Sequence, residues 1–196
     1  MPEVSHNQLA VTLTKACVGA GVARGVAEDV AQALAALTNQ EREAALTELC
    51  KALDSFDNYG SQPTTLRRDG DGDGDITTIS QGIVLHNGPG LVELAIVLAD
   101  DSGALLVQQI DYPHCFKALV AAKGGGRMEE TSSGTVLTFK EERTDLIAPT
   151  PARGQANRAQ VDRALWARLL HHAHATMVPS DAASQADAGA GDGDND

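Results

Sequence analysis

Asp111-Tyr-Pro-His114-Cys115 is the densest group of reactive side chains in this sequence. Pro113 suits the first turn of a helix, where its missing N–H is no loss, and that puts Cys115 near a helix N-terminus. A cysteine there is expected to ionise more readily, and the thiolate is its nucleophilic form. His114 is adjacent, but successive helical side chains point about 100° apart, so it is poorly placed as the base for Cys115. The plainer reading is a packed thiol beside a surface histidine. Lys15 and Glu28 flank the bend Gly19-Ala-Gly21. They are expected to meet across it, either as a structural ion pair or as an acid/base couple.

Further patterns bear on ligands. Asp69-Gly-Asp71-Gly-Asp73-Gly-Asp75-Ile76 copies the front of a calcium loop, with alternating oxygen donors, a glycine for the sharp turn and an apolar residue after it. The closing glutamate of such loops is replaced by Ser80, and Pro63-Thr-Thr makes a poor entering helix. Asp69, Asp71, Asp73 and Asp75 are therefore either ligands of a weak Ca²⁺ site or parts of a solvated loop. His171 and His174 share a helical face that two metal ligands use, although histidines in a last turn also suit the helix dipole. Gly19-x-Gly21-x-x-x-Gly25 lacks the preceding strand and the spacing of a dinucleotide fingerprint. It reads as a helix end followed by close helix packing, with free N–H groups at 21–23 that suit an anion.

The elements that must position these groups follow from local pattern. Ser5-x-x-Gln8 is a capping box, after which Leu9, Leu13 and Ala16/Cys17 line one helical face up to Gly19. Val26, Val30, Ala33, Leu34 and Leu37 recur at helical spacing. Thr38-x-x-Glu41 opens a third helix with Leu46, Leu49, Cys50 and Leu53 on one stripe. Residues 57–75 read as a long Gly/Asp-rich loop. Ile76–His86 and Ala104–Ile110 are strands. Leu91–Leu98 is a strand or a buried helical segment, because short apolar runs fit both. His114–Ala122 is a short helix closed by Gly124-Gly-Gly126. Met128–Thr131 and Thr135–Lys140 form a hairpin. A last helix covers about 155–177, with Val161, Leu165, Leu169 and Ala173 in step. The fold class is α+β: an N-terminal helical segment, a small, mostly antiparallel sheet and a C-terminal helix, in one domain over 1–178 followed by an acidic Gly-rich tail at 179–196.

Composition bounds the function classes. The chain has 196 residues, 42% of them apolar and 3% aromatic, so one core of Ala, Val, Leu and Ile is expected. The formal charge is −12, from 27 acids and 15 bases. Nine aspartates lie in the two Gly-Asp segments at 69–75 and 181–196; without them 18 acids face 15 bases, so the body is near neutral. There is no basic stripe for nucleic acid. Three cysteines make no disulfide framework. No signal peptide or membrane-spanning run is visible, and the expected location is the cytoplasm.

Two motifs carry a resemblance. One is Val4-Ser-x-Asn7-Gln-Leu9 followed by Lys15-Ala-x-x-Gly19-Ala-Gly21-x-x-x-Gly25-x-Ala27-Glu28-Asp29; the other is Val178-Pro-Ser180, Ser184, Gly189-Ala-Gly191 and Asp194-Asn-Asp196. With the central Ile110-Asp111-x-Pro113, they resemble a bacterial family of unknown function, domain of unknown function 3726, over nearly the whole chain. The resemblance brings no activity, and it implies a patterned rather than featureless tail. Gln8 departs from the acid expected there, and the Asp-Gly run at 69–75 looks like an insertion. Two function classes follow. The first is a small-molecule enzyme with a pocket between the helical hairpin and the sheet, using Lys15, Glu28, Asp111, His114 and Cys115. The second is a non-catalytic, partner-binding subunit. A calcium-responsive module is the third reading. The oligomeric state is open.

Overall fold

The structure is a computed structural model, and it describes residues 1–56, 65–69, 76–100, 103–139 and 158–176. The chain opens with β1 (Glu3–Ser5), and Ser5 then caps α1 (His6–Gly19), its hydroxyl accepting from the Gln8 N–H at 3.0 Å. The stripe Leu9, Leu13, Ala16, Cys17 is fully buried. α1 ends in a Schellman turn: the N–H of Gly21 donates to Val18 O and that of Val22 to Cys17 O. Gly21 takes φ +93° there, a conformation that suits glycine. α2 (Arg24–Ala36) and α3 (Asn39–Asp54) follow. Thr38 and Glu41 bond to each other side chain to side chain at 2.8 Å at the start of α3.

Five strands form the main sheet, in the order β2-β3-β4-β6-β5. They are β2 (Leu66–Asp69), β3 (Ile76–Ile83), β4 (Ala104–Asp111), β5 (Gly126–Thr131) and β6 (Gly134–Phe139). Only β3 and β4 run parallel; the other three pairings are antiparallel. The fold is α+β with a mostly antiparallel sheet. α4 (Gly88–Asp100) connects the parallel pair, as such a pair requires. α5 (Pro113–Ala122) follows β4 and packs on α2 and α3, with Cys115, Phe116, Ala118, Leu119 and Val120 buried. β7 (Arg158–Gln160) pairs antiparallel with β1, which ties the chain's beginning to α6 (Arg163–His174). Asp162 caps α6, accepting from Ala164 N and Leu165 N at 2.8 and 3.1 Å. These bonds hold its carboxyl below the usual range. Among the described residues no helix is long and apolar enough to cross a membrane.

One open reading is settled and three expectations change. Leu91–Leu98 is helical, with Leu91, Val92 and Ala95 buried at helical spacing and Val97 turned outward. Residues 66–69 within the presumed loop form a strand. The last helix starts at Arg163, because Arg158–Gln160 is taken up by β1. The space between the helical hairpin and the sheet is filled by α5.

Candidate functional site

The five residues expected to converge do not form one cluster. Among the described residues no hydrogen bond or ion pair joins any two of them. Lys15 is exposed on α1. Glu28 pairs with Arg24, one turn earlier on the same helix, at 2.8 Å. Asp111 ends β4, where Gln81 donates to it at 3.0 Å and Gln109 at 3.4 Å. Tyr112 then turns the chain in the left-handed conformation (φ 62°), and its hydroxyl lies 3.1 Å from the Ser55 hydroxyl. His114 is exposed at the start of α5.

Cys115 lies in the core, where burial disfavours its thiolate. Its thiol is fully buried and donates to Ala45 O at 3.1 Å. Its helix N-terminus is already occupied: the Glu48 carboxylate accepts from His114 N at 2.8 Å and from Cys115 N at 3.2 Å. Burial, then the negative charge of Glu48, push the thiol well above its ordinary pKa. The motif placed the cysteine correctly, but the anion attracted by the helix end is a side chain from α3, and it disfavours a thiolate. Burial likewise raises Cys17 to about 12 and Cys50 to about 11. A disulfide-exchange reagent at pH 8 should therefore titrate no thiol in the native protein and all three after denaturation; rapid native reaction at Cys115 would contradict this. Unfolded thiols ionise near about 8.5, so the folded state, which keeps them protonated, should lose stability as pH rises from about 9 towards the folded-state values.

The calcium candidates Asp71, Asp73 and Asp75 lie outside the described residues. Asp69 ends β2 and pairs in register with Ile76, so the Asp-Gly run connects two antiparallel strands and not two helices. Among the described residues there is no group of three or more metal-ligating side chains. The expected close packing at Gly25 is absent, since nothing lies within 4 Å of a Cβ placed there. It occurs at Gly19, where an added Cβ would overlap the backbone carbonyl of His172 in α6.

That contact borders an open cavity where two titratable side chains are bonded to each other. Gly19, Ala20, Gly21, Leu53, Asp54, His171 and His172 line about 540 Å³. His172 Nε2 lies 2.9 Å from Asp54 Oδ1, while Arg168 bonds the other carboxylate oxygen. The His172 side chain is 17% exposed and Asp54 half exposed. Burial alone would raise the Asp54 carboxyl; the hydrogen bonds and charges of His172 and Arg168 outweigh it and hold the group below its usual range. The C-terminal ends of α1, α3 and α6 all meet at this cavity. Each brings the negative end of a helix dipole. A Cβ placed on Gly21 would lie 3.6 Å from Phe56, whose ring stacks on His86 with centroids 4.6 Å apart. Sequence reading noted the late histidines but not their partner, because Asp54 is 118 residues away.

Residues 4–81 match the model of a family described as Protein of unknown function (DUF3726). The resemblance read from the N-terminal motif holds over that stretch; the C-terminal motif at 178–196 lies outside both the match and the described residues. No curated protein matches the chain. Among solved structures the chain is similar to malate dehydrogenase from Entamoeba histolytica, at 14% identity and a TM-score of 0.43, covering 64% of this chain and 37% of that one. The chain thus spans little more than a third of that enzyme, and nothing of its chemistry transfers.

Proposed function

From the cavity at the three helix ends, we propose that this chain is a small-molecule acid–base enzyme whose proton-transfer group is His172. The observation that carries the reading is the His172–Asp54 contact at 2.9 Å inside an open polar cavity. A carboxylate bonded to one ring nitrogen fixes the tautomer and orientation of an imidazole, which leaves the other nitrogen for a ligand's proton. Arg168 is outside the cavity lining and anchors Asp54 from behind. Ser55, the nearest hydroxyl in sequence, is committed to Lys51 O and to Tyr112. The arrangement thus supports proton transfer to and from a bound molecule rather than a covalent intermediate.

Three helix C-termini and a carboxylate favour a ligand with positive charge or several N–H donors. The substrate class proposed is therefore a small amine that also carries a carbonyl, with His172 taking the proton from the carbon between the two groups as the electron pair moves onto the carbonyl oxygen, and returning it there. The test incubates the full chain in D₂O with a panel of small α-amino carbonyl compounds and follows solvent deuterium at the carbon between the amine and the carbonyl. Wild type should catalyse exchange on at least one of them. His172→Gln should lower that rate at least 100-fold, the range expected for loss of a general base, with an unchanged melt. Exchange that survives His172→Gln would sink the assignment.

A further inference from the structure

The open edge of the main sheet carries an inference independent of the cavity. β5 is the last strand of the order β2-β3-β4-β6-β5, and its outer side has no strand partner among the described residues. A six-residue edge free of proline offers its backbone groups to another strand. Beside it, α5 and β5 enclose a groove of about 580 Å³ whose lining includes Lys117, Val120, Met128 and Glu130.

We propose that β5 pairs antiparallel with β5 of a second copy of this chain, about a two-fold axis through Met128. Both the hydrogen bonding and the charges select this register. β5 and β6 are joined by the two residues Ser132-Ser133, with Thr131 opposite Gly134. In such a hairpin the closing pair is hydrogen bonded and the pattern alternates along the strands. Thr131, Glu129 and Arg127 therefore bond inward to β6, and Glu130, Met128 and Gly126 turn their N–H and C=O outward. A register centred on Met128 sets Met128 opposite itself and Gly126 opposite Glu130, so every outward group meets an outward group. Residues opposite each other in an antiparallel pair also share a face. The same register sets exposed Arg127 of one copy opposite exposed Glu129 of the other, twice by symmetry. Shifting the centre to Glu130 keeps the hydrogen bonding but places Glu130 against Glu130, which is repulsive. The chosen register is self-complementary, as a two-fold interface must be. The paired strands alone cover less than the ~1,200 Å² of a stable interface, so the groove beside α5 closes as well.

The mass of the full chain is measured by sedimentation equilibrium. Wild type should associate to twice the chain mass. Arg127→Glu sets glutamate against glutamate, and Glu129→Arg sets arginine against arginine; each should weaken association at least tenfold while circular dichroism is unchanged. Mixing the two variants restores opposite charges at both contacts and should restore the dimer. A wild type that is monomeric at every concentration overturns the proposal, including the case where another segment of the chain covers the edge. So does a dimer that ignores both substitutions, or a mixture that fails to associate.

Discussion

Replacing Arg42 with alanine should lower folding stability by roughly 3 kcal/mol, the scale of losing a buried charged group and baring the acceptors it served. Arg42 is 2% exposed, the largest fully buried side chain described. It donates to Asn39 Oδ1 at 2.6 Å, to Ala35 O at 3.2 Å and to Leu37 O. Ala35 and Leu37 belong to the end of α2, where carbonyls lose their helical partners. The guanidinium on α3 thus closes α2 and fixes the tight α2–α3 turn. None of these bonds is to a carboxylate, and burial lowers its pKa. Removing the side chain leaves a cavity and two carbonyls without a donor. Thermal unfolding should show a drop of roughly 6–12 °C for a chain of this size. Arg42→Lys should recover little, because one ammonium lacks the fork that spans the three acceptors. An Arg42→Ala melt within a degree or two of wild type would mean that α2 ends by other means.

Gly19→Ala and Gly25→Ala should move stability in opposite directions. Alanine is favoured over glycine inside a helix by about 1 kcal/mol. At Gly25 nothing lies within 4 Å of the added methyl, so Gly25→Ala should stabilise by up to about that amount. At Gly19 the methyl would overlap the carbonyl oxygen of His172, which is backbone and cannot swing aside. α6 must move, at a cost of about 1–3 kcal/mol or more for overpacking, enough to outweigh the propensity gain. The move also carries His172 relative to Asp54 at the C-terminal end of α3, so the Gly19→Ala variant should lose cavity function beyond what its melt explains. Equal melts for the two variants would show that α1 and α6 do not meet at Gly19.

The three glycines of this motif illustrate what was legible in sequence. Gly21 as a helix-ending residue was visible because a Schellman turn is local, and its partners lie within five residues. Which of Gly19 and Gly25 faces another helix was not visible, since α6 is some 150 residues further on. The same division runs through the fold. α1 and α3 follow from helix-start signals and stripes that the chain reads within one or two turns. β2 was hidden because Leu66-Arg-Arg-Asp has a single apolar residue and owes its strand to pairing with β3. β1 and β7, three residues each, exist only through each other. α4 was ambiguous because its apolar residues run almost without interruption. For the site, residue types were a good guide to chemistry but not to company. Cys115 does begin a helix, yet Glu48 reaches that end first; Glu28 does form an ion pair, but with Arg24 on its own helix. The pairing of Asp54 with His172 joins two helix ends distant in sequence, and no local pattern announces it.

The claim at the centre of this account is that the helix-end cavity selects a positively charged small molecule next to His172. The most direct measurement follows the His172 ring signals by NMR while small primary amines, and separately their carboxylate counterparts, are titrated into the full chain and into Asp54→Asn. At least one amine should shift the His172 signals saturably, the carboxylates should not, and Asp54→Asn should weaken the amine response at least tenfold. Signals that answer to carboxylates, or amine binding that ignores Asp54→Asn, would contradict it.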